Sequence, residues 1–130
     1  MKIYKIANIS ESNQIAIHLT TEKAKKEILE SGSFIPSISG WRGAGLYAHL
    51  YNTGIEGKGN SKVGFSYANL KLNNGGKPEQ LNQKQWDKLK LKDNNVIDKI
   101  LSDLGYDGEM YENVIRIFPS SVKKLTPIDL

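Results

Sequence analysis

The 130-residue chain contains no cysteine, which excludes disulfides, a thiolate nucleophile and any metal site built on sulfur. Other chemistry-bearing residues are scarce too. Histidine occurs only as His18 and His49, and among 18 basic residues only Arg42 and Arg116 are arginines. No stretch approaches the roughly 20 apolar residues that span a bilayer. The N-terminal run Met1-Lys2-Ile3-Tyr4-Lys5-Ile6 is interrupted by lysine, unlike a cleavable signal, so a cytoplasmic protein without membrane attachment is expected. A hydrophobic fraction of 38% suffices for one core, and residues 1–130 are expected to form a single domain. The formal net charge is +4, much of it from Lys84, Lys88, Lys90 and Lys92. Those lysines alternate with other residues instead of forming a block, which fits a solvated face.

Strands are expected loosely at residues 2–7 and more firmly at Ile15-Ala16-Ile17-His18-Leu19, an apolar run bounded by polar residues. Thr20 is placed to cap a following helix of about 11 residues, which carries Glu22 in its first turn, an Ala24, Ile28, Leu29 stripe, and Gly32 as its stop. From Ser33 to Gly45 the pattern is that of a loop pinned by Phe34, Ile35, Ile38 and Trp41. Strands follow at Leu46–Leu50 and Val63–Leu72, around a Gly- and Asn-rich stretch from 52 to 61. The spacing of Gly54, Gly57 and Gly59 lacks the strand-to-helix junction of a phosphate loop. After the turn Asn73–Gly76 come a weakly helical segment, 80–91, and a clearer helix capped by Asn94, with Val96, Ile97, Ile100, Leu101 and Leu104 on one face and Gly105 at its end. Val114–Phe118 reads as a core strand, broken by Pro119, with a turn and a terminal strand in 122–130. Strands and helices do not alternate regularly, so the expected class is α+β with a split or mixed sheet.

Gly43-Ala44-Gly45 before Leu46-Tyr47 lets the backbone turn sharply or approach a ligand closely. Its order relative to the His18 strand, and then to Leu104-Gly105-Tyr106-Asp107-Gly108, resembles the ADP-ribosyltransferase superfamily of the His-Tyr-Glu type. Poly(ADP-ribose) polymerases and tRNA 2′-phosphotransferases belong to it. Ala16-Ile17-His18-Leu19-Thr20 with Ile28-Leu29 and Gly32 is similar to the family's first motif, and Gly43-Ala44-Gly45-Leu46-Tyr47-Ala48 to its second. Leu104 to Gly108, followed by Glu109-Met110-Tyr111-Glu112-Asn113 and the strand from Val114, stands in the place of its last. The likeness covers about residues 15–48 and 96–125, and Leu19 replaces the family's glycine.

The resemblance implies a split mixed sheet with two or three flanking helices and NAD as co-substrate, with no metal. The nicotinamide–ribose bond breaks through an oxocarbenium-like state, which a carboxylate stabilises. Glu112 is the candidate, with Glu109 competing. His18 would bind the adenosine-side ribose, the backbone of Leu19 would hold the nicotinamide amide, Thr20 and Gly45 would belong to the same cofactor site, and Tyr47 would stack on the nicotinamide ring. Tyr67, or else Tyr51, would form a second wall, and Arg42 would meet the pyrophosphate bidentately. Arg116 is expected to face solvent. Asp107, in an Asp-Gly turn signal, is a lesser candidate for contacting the acceptor. The implied activity is transfer of ADP-ribose to a macromolecule, a protein ahead of a nucleic acid, as in a toxin, effector or phage counter-defence protein. Two alternatives stay open: a basic RNA-acting nuclease using His18 or His49, and an inactive protein of the same fold that binds or inhibits a partner.

Overall fold

A computed structural model describes residues 14–51 and 61–130. The expected strand at 2–7 and the glycines at 54, 57 and 59 lie outside the described residues. Seven strands form one mixed sheet among those described: β1 (Ile15–Thr20), β2 (Leu46–Leu50), β3 (Ser61–Ser66), β4 (Leu72–Asn73), β5 (Gly108–Tyr111), β6 (Val114–Ile117) and β7 (Ile128–Asp129), in spatial order β4-β5-β6-β2-β1-β3-β7. Only the β4–β5 pair is parallel. The α+β class and mixed sheet agree with the sequence reading. No helix among the described residues is long and apolar enough to cross a membrane.

Among the described residues three α-helices flank the sheet: α1 (Glu22–Ser31), α2 (Gln83–Leu89) and α3 (Asn94–Asp103). The first begins one residue later than expected, because the Thr21 hydroxyl, not that of Thr20, accepts the Ala24 amide at 3.1 Å. It stops where Gly32 turns left-handed and its N–H reaches Ile28 O. Likewise Asp93, not Asn94, caps α3, by accepting the Val96 amide. The helical segment expected over 80–91 contracts to α2, where Asn82 and Gln85 form a reciprocal capping box. The strand expected from Val63 to Leu72 ends at Ser66, and a separate two-residue strand, β4, follows. Pro119 opens a short 3-10 turn to Lys124.

Because successive side chains on a strand alternate between faces, the pairing register sorts the sheet into two sides. His18 lies opposite Val63, and Ala48 opposite Ile115, which faces Met110. These residues share the apolar side, where Ile28 of α1, Phe34, Phe65, Val122 and Leu125 complete the main core. Each fully buried aliphatic side chain there contributes roughly 1.5–3 kcal/mol. One step along the strands, Tyr47 lies opposite Arg116, Arg116 opposite Glu109, and Glu109 beside Asn73. This second side carries a smaller apolar cluster of Leu101, Tyr106 and Phe118, flanked by Ile97 of α3, and beside it a group of charges.

Candidate functional site

The charged group begins with a hairpin. Glu112-Asn113 forms the two-residue turn between β5 and β6, with Glu112 at a positive φ of 54°, and this register sets Glu109 across from Arg116. Arg116 was expected in solvent. It is instead 3% exposed, because two carboxylates come to it. Its Nε donates to Glu109 Oε2 at 2.9 Å, Nη1 and Nη2 donate to Asp98 of α3 at 2.8 and 2.9 Å, and Nη1 also reaches Ala44 O at 2.8 Å. Arg42 arrives from the loop before β2 and grips the same glutamate through both carboxylate oxygens, Nε to Oε2 at 2.7 Å and Nη2 to Oε1 at 3.0 Å. The only two arginines of the sequence therefore converge on one carboxylate.

Charge-assisted and bidentate bonds of this kind are the strong ones. Burial alone would raise the Glu109 pKa, but the bonds from Arg42 and Arg116 outweigh it and hold the carboxyl below its ordinary value. Glu109 is thus ionised at neutral pH. Burial would lower the Arg116 pKa, yet Asp98 and Glu109 raise it further above the ordinary arginine range. Glu109 Oε2 takes two donors and Oε1 only one among the described residues, so Oε1 keeps room for a further hydroxyl.

Glu109 lies on the wall of a cleft of about 390 Å³, with Arg42 and Arg116, Asn94 of α3, and Trp41 and Trp86 among its other walls. Tyr47 shapes this cleft from behind. Its hydroxyl donates to Gly43 O at 2.6 Å and accepts the Arg42 amide at 2.8 Å, and its ring lies where a side chain on Gly40 would be, 2.7 Å from that added carbon. Tyr47 is therefore a post for the loop that carries Trp41 and Arg42. The glycine turn has a backbone cause as well. Gly45 sits at φ 149°, and a Cβ there would stand 2.5 Å from Ile117 O.

His18 lies on the other side of the sheet. Its Nδ1 donates to Tyr47 O at 2.8 Å, which leaves Nε2 as the acceptor of the neutral ring, and Phe34 meets the ring edge-on at 5.8 Å. Burial lowers its pKa and the bond to Tyr47 only partly offsets that. A separate cavity of about 250 Å³ lies beside it, bounded by Thr20, Ala24, Glu27, Ser31 and Ile35. So His18 and Tyr47 are joined through a backbone carbonyl, and their side chains do not share a cavity.

The remaining candidates are dispersed. Leu19 is half-buried on β1 in the row of Tyr47, and Tyr67 packs against the main core, which raises its hydroxyl pKa. Tyr51 is exposed at the end of β2, His49 is half-buried on that strand, and Glu112 is exposed at the hairpin tip. Asp107 is buried, where it accepts the Lys71 amide, the Ser121 hydroxyl and the Lys124 ammonium at 2.9, 2.8 and 2.6 Å. It ties β4, β5 and the 3-10 turn together. No metal-binding group of His, Asp and Glu occurs among the described residues. Comparisons with protein-family models, with curated proteins and with solved structures give no match.

Proposed function

We propose that the chain transfers ADP-ribose from NAD to a macromolecular acceptor, with Glu109 as the catalytic carboxylate. The observation that carries the reading is an ionised carboxylate with one oxygen open, on a strand next but one to the Gly45–Ala48 strand, in a cleft with aromatic walls. It is supported by the placement of the resembling stretches, which are far apart in sequence but fall on four contiguous strands, β5-β6-β2-β1. In the reaction the C1′–N bond breaks, nicotinamide leaves with the electron pair, and an acceptor nucleophile bonds to C1′ and loses its proton. Glu109 would accept the ribose 2′-hydroxyl at Oε1 and stabilise the positive charge that develops on the sugar. Arg42, partly exposed and with Nη1 unbonded among the described residues, is the group best placed to meet a phosphate. His18, behind the sheet, would act by fixing the Tyr47 carbonyl.

Nicotinamide release, measured with and without cell lysate, tests this. Glu109→Gln is expected to lower it about 10²–10³-fold, the scale of losing one transition-state electrostatic contact. Glu112→Gln is expected to leave it unchanged. The reverse pattern would move the carboxylate to the hairpin tip, and a wild-type protein that neither releases nicotinamide nor gains thermal stability with NAD would end the reading.

A second reading, an inactive binding module of this architecture, is favoured by the engagement of both Glu109 oxygens by arginine and by the separation of the His18 and Tyr47 side chains. NAD-induced stabilisation without nicotinamide release would select it.

A further inference from the structure

We infer that the cleft between Trp41 and Trp86 binds single-stranded nucleic acid, with bases on the tryptophans and phosphates on Lys90 and the lysine-rich surface that continues from it. As the acceptor class of the transfer proposed above, this rests on that reading; the binding itself does not.

The first observation is electrostatic. Residues 71–92 carry six lysines against Glu79 and Asp87, an excess equal to the net charge of the whole chain, +4, so the rest of the protein is balanced. Lys84, Lys88 and Lys92 are exposed and make no ion pair among the described residues, and Lys90 has only a 3.4 Å surface pair with Asp87. A pair so exposed holds its lysine weakly, and it yields readily to a phosphate. The sequence pattern alone reads as a solvated face; the fold brings one member of it, Lys90, to the cleft beside Trp86, while Lys84 and Lys88, two residues to either side of Trp86, lie round the helix from it.

The second observation is aromatic. Trp41 is 68% exposed at the cleft, where burial would ordinarily take so large an apolar ring. It meets Tyr111 edge-on at 5.6 Å, and the Arg42 guanidinium stands 4.3 Å from the Tyr111 ring. On the opposing wall Lys90 lies 6.0 Å from the Trp86 ring. Flat rings flanked by cations are what a single strand uses, since every base offers a π face and every phosphate a charge, and a duplex offers neither splayed bases nor access to a narrow cleft. An acidic peptide would be drawn to the lysines but would leave both tryptophans without a stacking partner.

Fluorescence anisotropy of labelled DNA and RNA 12-mers, single-stranded and duplex, without NAD and across a salt series, tests the inference. Binding to single strands is expected, weaker for duplex, with a log–log salt slope of about −2 for three neutralised phosphates. Trp41→Ala, at an exposed site where folding is not at stake, is expected to weaken binding about 10-fold, and Lys90→Gln to flatten the slope by about 0.7. Absence of binding to both nucleic acids, equal binding to polyglutamate, or affinity indifferent to Trp41 would overturn it. Nicotinamide release that persists with a protein acceptor while oligonucleotides fail to bind would reject the acceptor class and leave the transferase reading standing.

Discussion

The two faces of the sheet treat their polar residues in opposite ways. Behind it, His18 is a neutral ring edge-on to Phe34, with its Nδ1 bonded to a backbone carbonyl. In front, Arg42, Glu109, Arg116 and Asp98 form a neutral set of two cations and two anions in which each charge has a partner of opposite sign. Only the second face spends two arginines and a helix to keep a carboxylate ionised near a cleft. A buried charge set is costly to desolvate and seldom stabilises more than an apolar core of the same shape, so its presence points toward chemistry or recognition more than toward stability.

The largest way to break the contrast is Arg116→Met, which keeps the bulk of the side chain, strands Asp98 and leaves Glu109 with Arg42 alone. A loss of about 3–5 kcal/mol is expected from urea unfolding, the cost of removing one partner from a buried pair. Arg42→Met, at a site 29% exposed, should cost far less because solvent screens the pair. Equal losses for the two would mean that the front face is not dry, and the contrast with the His18 side would collapse.

Tyr47→Phe sharpens the comparison from the strand between the faces. The hydroxyl serves only the front, through Gly43 O and the Arg42 amide, whereas the carbonyl serves His18 behind. About 1–1.5 kcal/mol of stability should go with the two bonds, with faster hydrogen exchange at the Arg42 amide. The His18 ring resonances should stay where they are. A shift there would show that the faces are coupled through the loop.

How much of this was readable beforehand depends on which face is considered. β1, β2 and β6 announce themselves by apolar runs, and α1 and α3 by their stripes, because the core they bury is encoded in their own residues. β5 does not: Gly108-Glu109-Met110-Tyr111 has weak strand character, and its conformation comes from pairing with β6. Arg116, one cation on an otherwise apolar strand, reads as a solvent-facing residue as long as Glu109 and Asp98 are distant in sequence. A usable signal existed in Glu112-Asn113. Taken as a two-residue hairpin loop, it sets Glu109 opposite Arg116 by counting alone. Nothing of that kind locates Asp98 or Arg42, whose arrival depends on how α3 and the loop held by Tyr47 fold over the sheet.

Acid titration separates the faces most finely. Burial and the Tyr47 bond leave the native His18 pKa below 6.5, so as pH falls through 6.5 the unfolded chain takes up a proton that the native ring refuses, and stability declines until the native pKa is passed. Glu109 and Asp107 have native pKa values below their ordinary 4.5 and 3.8. Their contribution is complete above those ordinary values and is lost as pH falls through the native ones, so the front face gives a second, lower step in the same direction. His18→Gln, which keeps a donor for the Tyr47 carbonyl, should erase the upper step in a series of urea midpoints from pH 8 to 3 and leave the lower one intact. An upper step that survives the substitution would mean that His18 titrates as freely in the native protein as in the unfolded chain.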